Sequence, residues 1–119
     1  MMMMSHMAMG QLCERATEVA GLLKLVANEQ RLLLLCRLRE GEASVGELVG
    51  LCSLSQSSVS QHLAKMREGG ILQTRREAQT IYYRLANPHV EALMMFLCDR
   101  FAGGMDSNGG ESPPAASAG

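Results

Sequence analysis

Apolar residues recur along this chain at helical spacing for most of its length, then switch to alternation over one short stretch. From Gln11 to Leu25 and on into Val26 they fall at Leu12, Ala16, Val19, Leu22, Leu23 and Val26, with Glu14, Arg15, Glu18 and Lys24 on the other side. Steps of three and four residues predict a first amphipathic helix. Asn28 is placed to cap a second helix that runs to about Glu40, with Leu32, Leu35, Cys36 and Leu38 inward and Gly41 as the stop. Ser44 caps a third, Val45 to Cys52, and Glu47 stands three residues on, the spacing of a capping box. Ser53-Leu54 reads as a tight turn, and Ser55 caps a fourth helix whose stripe is Val59, Leu63 and Met66. Gly69-Gly70 ends it. Ile71–Thr74 and Thr80–Leu85 then read as two strands around Arg75-Arg76-Glu77-Ala78-Gln79. A last helix starts at Asn87-Pro88, since proline suits a first helical turn, and carries Val90, Leu93, Met94, Leu97 and Phe101 on one face.

The fourth helix is the informative one. Gln56, Ser57, Ser58, Ser60, Gln61 and Lys65 lie largely off its apolar stripe. Short hydrogen-bonding side chains and one lysine suit the donor and acceptor pattern of base edges in a major groove. A short helix, a tight turn, this helix and a hairpin with Arg75 and Arg76 near its tip describe a winged helix-turn-helix: mainly α, five helices plus a small β-hairpin. Residues SQSSVSQHL, LAKMREGGIL and TRREAQTIYYRL, preceded by RLLLLCRLREGEASVGEL, closely resemble the ArsR/SmtB family of bacterial winged-helix repressors. The resemblance covers roughly Ala16 to Arg100, with order and spacing agreeing over several elements. It implies a homodimer joined through the first and last helices and bound to double-stranded DNA. The wide apolar stripe of the last helix also asks for a partner subunit, because a small domain has its core already supplied.

A chain of 119 residues fits one domain, expected over 11–102 between a flexible start (1–10) and a disordered Gly/Ser/Pro/Ala-rich tail (103–119). The net charge of −1 would argue against nucleic acid, but its distribution reverses that. Between Leu51 and Leu85, Lys65, Arg67, Arg75, Arg76 and Arg84 outnumber Glu68 and Glu77, so positive potential collects on the reading helix and wing. No run approaches the ~20 apolar residues of a membrane span. The first residues lack the basic-then-apolar pattern of a secretory leader, so the expected compartment is the cytoplasm, where thiols rest reduced. No nucleophile–base pairing or phosphate-binding glycine loop points to an enzyme.

The resemblance also sets what an inducer site would need. The arsenic-type cysteine positions on the third helix match Ser44, Gly46 and Val49; of the zinc-type positions on the last helix only His89 fits, beside Asn87, Arg100 and Gly103. Arginine cannot ligate a metal. Neither a metal nor a cofactor is therefore expected, and His62 in the reading helix reads as a structural or DNA-facing hydrogen bond. Six of the ten methionines precede Gly10, and Met94-Met95 suit an adaptable interface better than a soft-metal site. Cys36, within RLLLLCRLREGE, resembles the cysteine of the thiol-responsive BigR/SqrR-like branch, which pairs with a second near the end of the last helix. That second position matches Ala102, whereas the chain offers Cys98, one helical turn earlier; Cys13 is another possible partner. Cys36 and Cys98 are thus either a redox pair or two small buried apolar residues, and Cys52 reads as core.

The expected function is a dimeric DNA-binding transcriptional regulator, a repressor released from an inverted-repeat operator by thiol modification. Two rivals stand beside it: a same-family regulator that activates by displacing another repressor or senses another ligand, and a dimerising interaction module without specific DNA binding.

Overall fold

The computed structural model describes residues 6–101. Residues 1–5, Ala102, the tail expected over 103–119 and the Cys52 side chain expected in the core lie outside the described residues. The element order is α1 (His6–Val26), α2 (Glu29–Leu38), β1 (Ala43–Ser44), α3 (Val45–Cys52), α4 (Gln56–Glu68), β2 (Leu72–Glu77), β3 (Thr80–Leu85) and α5 (Pro88–Phe101). α1 begins at His6 rather than at Gln11, so residues 6–10, expected to be flexible, extend the helix. Methionine and alanine have high helix propensity, and here they outweigh Gly10.

The caps act as their side chains dictate. Asn28 Oδ1 accepts from Arg31 N at 3.1 Å, and Ser44 forms a complete capping box with Glu47. α4 ends in a Schellman motif: Ile71 N donates to Met66 O at 2.9 Å and Gly70 N to Arg67 O at 3.0 Å, with Gly70 at φ +82°. Ile71 and Met66, fully buried, close the hydrophobic contact that accompanies such an end. The preceding Gly69 lets α1 approach, because a Cβ there would overlap Leu25 Cδ2.

The sheet has three strands in the order β1-β3-β2, all antiparallel. β1 escapes the sequence pattern because its two residues are too short to show a period; they pair with Tyr83 and Tyr82 of β3. The core joins Leu34, Leu35 and Leu38 of α2, Leu48 of α3, the α4 stripe Val59, Leu63 and Met66, and Val90, Met94 and Cys98 of α5. Leu34, absent from the expected inward set, is wholly buried, while Leu32 and Cys36 are half-buried. α2 packs against α3, α5 and β3 at once and so buries a broader face than a single stripe.

Candidate nucleic-acid interface

The turn between α3 and α4 turns on Ser53, a non-glycine residue at φ +58°. Ser55 caps the N-terminus of α4, its Oγ accepting from Ser58 N at 3.1 Å. Gln56, Ser57, Gln61 and Lys65 are exposed, and Ser58 and Ser60 are half-buried on the flanks of the Val59–Leu63–Met66 stripe. A helix start with free N–H groups and a positive dipole end, fronted by polar side chains, can approach a phosphate-lined groove without a desolvation mismatch.

Beside α4 stands the wing. β2 and β3 pair from Leu72↔Leu85 out to Glu77↔Thr80, leaving Ala78 and Gln79 as a two-residue loop. Ala78 has φ +57° and Gln79 does not share the sign, as in a type II′ turn. The two wing arginines differ sharply. Arg75 donates from Nε and Nη2 to Glu42 at 3.1 and 2.7 Å, and from Nη1 to Glu77 at 3.0 Å. Its guanidinium also lies 4.7 Å from the centre of the Tyr82 ring. The Arg75 hydrogen bond holds the Glu42 carboxyl below its ordinary pKa. Arg76 is exposed on the opposite face of the strand, and Arg84 is bonded to Gln73. Sequence reasoning missed Glu42, which sits outside every periodic element and meets Arg75 only because β1 joins the sheet.

His62 lies on the flank of α4 that meets α1 and α2. Arg31 Nε donates to His62 Nδ1 at 3.2 Å, and Arg31 Nη1 donates to Leu25 O at 2.9 Å. Burial, then the Arg31 charge, pulls the His62 pKa below its ordinary value. The imidazole is a neutral acceptor that ties the reading helix to both preceding helices.

Cys36 of α2 and Cys98 of α5 stand sulfur to sulfur, their Cα atoms 6.3 Å apart. That spacing is one a disulfide bridges. The one-turn offset from Ala102 therefore does not separate the two thiols, because α5 crosses α2 at Cys98. Arg39 and Asp99, also on α2 and α5, form an ion pair at 3.3 Å beside them. Cys13 on α1 is exposed and free. Asn87 Oδ1 accepts from His89 N at 2.9 Å and Val90 N at 3.1 Å, so it caps α5. Among the described residues no three His, Cys, Asp or Glu side chains converge as a metal site.

Comparison with known proteins decides the family. The model of the bacterial regulatory proteins of the arsR family matches residues 28–74, from the α2 cap into the wing. The transcriptional activator HlyU of Vibrio cholerae is 51% identical over 76 residues, 64% of this chain and 70% of that one. The biofilm growth-associated repressor of Agrobacterium fabrum is 49% identical over 89 residues, 71% of this chain and 76% of that one. The crystal structure of the repressor BigR from Xylella fastidiosa superposes with TM-score 0.72 at 42% identity, covering 77% of this chain and 94% of that one. The chain belongs to the ArsR family.

An ArsR-family chain is a DNA-binding transcriptional regulator and not an enzyme, and its sheet is the wing of a winged helix. In this member α1 and α5 flank an open groove of about 480 Å³, lined by Leu12, Val19, Leu22, Leu23, Val90 and Leu93 with Arg15, Glu18 and His89 among them. Leu12, Val19 and Leu23 are 45%, 38% and 51% exposed, and Phe96 is 57% exposed on α5. With Met9 and Ala16 they repeat at alternating steps of three and four along α1, the spacing of a helix-pairing seam. Among the described residues no helix is long and apolar enough to cross a membrane.

Proposed function

We propose that this ArsR-family regulator represses transcription as a homodimer on an inverted-repeat operator, and that linking Cys36 to Cys98 releases it. The α1 seam and the groove beside α5 support the pairing of two copies; a two-fold dimer places two α4 helices in major-groove segments about one helical turn apart. Gln56, Ser57, Ser60 and Gln61 of each copy read bases, Ser58 steadies the helix start, and Lys65 and Arg76 meet phosphate. Arg75, matched in sequence to the same role, would first have to leave two carboxylates.

The observation that carries the switch is the juxtaposition of Cys36 and Cys98 across α2 and α5. Cys36 is half-buried and Cys98 only 7% exposed, so Cys36 is the thiol an incoming reagent reaches. An organic persulfide would transfer its outer sulfur to the Cys36 thiolate and leave as a thiol. Attack by the Cys98 thiolate on the inner sulfur then forms the disulfide and expels hydrosulfide. The bond would clamp α2 to the dimerising helix α5 and alter the separation of the two reading helices with no change at any DNA-facing residue. Thiols that rest reduced place such a switch in the cytoplasm. Cys36→Ser and Cys98→Ser should each bind DNA as the wild type does in a mobility-shift assay, yet stay bound when an organic persulfide releases the wild type. Release of either variant, or peptide mapping that finds both cysteines unmodified, would sink the switch.

A second reading concerns only the sign of regulation. The 51%-identical Vibrio cholerae relative is named an activator, whereas the Agrobacterium fabrum relative is named a repressor, so activation or displacement of another repressor is the alternative sign. A promoter fusion with the gene deleted distinguishes them, since loss of a repressor raises expression and loss of an activator lowers it.

A further inference from the structure

Glu42 belongs neither to the reading helix nor to the hairpin, yet it bonds to the wing through Arg75. It lies just ahead of β1, between Gly41 (φ +148°) and the fully buried Ala43. Ser44 pairs with Tyr82, and Tyr82 pairs with Arg75, so these three share a row across the sheet. Side chains two apart along a strand share a face, which puts Glu42, Ser44, Tyr82, Arg75 and Glu77 together on one side. There the Arg75 guanidinium bridges the outer strand β2 to Glu42, crossing β3 by lying over the Tyr82 ring. All three guanidinium nitrogens are engaged, two by Glu42 and one by Glu77. A forked, bidentate pair of this kind fixes direction as well as distance.

We propose that Glu42 and Arg75 form a brace that holds the wing at a set angle to α4, and that Arg75 is a positioning residue and not a phosphate ligand. The proposal rests on the DNA-binding reading above and adds to it a division of labour: Arg76, on the other face, meets the backbone, and Arg75 holds the strand that carries it. Geometry also gives the brace a firm footing. Ala43 is anchored in the core, and Arg37 of α2 donates to the Gly41 carbonyl at 3.1 Å, so Glu42 sits on a backbone held from both sides. Beyond Leu72, β2 is exposed along its length and its strand pairing is with β3 alone, so the brace gives its outer part a second hold.

The test uses the full chain and a duplex covering the region upstream of its own coding sequence. Arg75→Gln and Glu42→Gln should each weaken specific binding about fivefold, and the double variant should be no weaker than either single one. The slope of log affinity against log salt should stay at the wild-type value, whereas Arg76→Gln should flatten it by about 0.9 per site. The reversed pair, Glu42→Arg with Arg75→Glu, should recover binding. Amide exchange across β2 and β3 of the free protein should quicken in the single variants and slow again in the reversed pair. The brace is overturned if Arg75→Gln flattens the salt slope, if Glu42→Gln tightens binding, or if neither single variant alters affinity. A wild-type protein that cannot tell this duplex from random DNA counts against the DNA reading alone, and the amide exchange then still decides the brace.

Discussion

Arg31 and His62 show how one hydrogen bond can fix a protonation state. The Arg31 guanidinium donates into His62 Nδ1, so the imidazole must be neutral to accept, and a proton there would face an existing cation. The folded state therefore binds this proton less readily than the unfolded chain, whose histidine titrates near 6.5. Above that pH both states are neutral and nothing is lost. As pH falls through it, the unfolded chain takes up the proton first, and stability drops. The melting temperature of the wild type should accordingly fall more steeply between about pH 7.5 and pH 5 than that of His62→Gln, which keeps an acceptor but cannot titrate. Parallel curves would show that His62 takes its proton as freely folded as unfolded.

At the scale of elements, α4 is a helix with two jobs on two faces. Val59, Leu63 and Met66 hold it in the core, and the Schellman end at Gly70 turns the chain straight into β2, so the root of the wing starts at the helix's own C-terminus. Its N-terminal turn, capped by Ser55, is exposed, and it is the part proposed to enter the groove. Gln56 is exposed there and supports nothing in the body, so Gln56→Ala should fold normally and lose about 1–3 kcal/mol of binding to the specific duplex while binding random DNA unchanged. Titrating both duplexes at one salt concentration checks this, and equal losses on both would take Gln56 out of base reading.

The whole molecule presents an apolar seam that a lone chain leaves wet. Leu97 looks from its spacing like a free interface residue, but it is half-buried against the core, so its replacement would confuse folding with association. Leu23 is the cleaner probe, 51% exposed on α1 and part of the groove lining. Leu23→Glu should leave the melting behaviour of the subunit intact and shift the protein toward monomers, because a two-fold interface would bury the new charge twice. Sedimentation at micromolar concentration reads the outcome; a variant that stays dimeric places the interface elsewhere.

Local chemistry was enough for the five helices and the hairpin, the three polar caps at Asn28, Ser44 and Ser55, the Gly-Gly stop, and the apolar stripe of α4. Each depends on neighbours within about one helical turn, where side-chain type and backbone preference act directly. The family was legible for the same reason, since its motifs are runs of adjacent residues. Tertiary structure alone decided three things. β1 exists only because Ala43 and Ser44 find Tyr83 and Tyr82 some forty residues on. Arg75 exchanges the expected phosphate-facing posture for Glu42, an ion pair between elements that no period connects. Cys98 meets Cys36 although it stands one helical turn before the matched position, because the crossing of α5 over α2 brings it there. Contacts between residues far apart in sequence depend on packing angles that accumulate over whole elements, and no short window of sequence contains them.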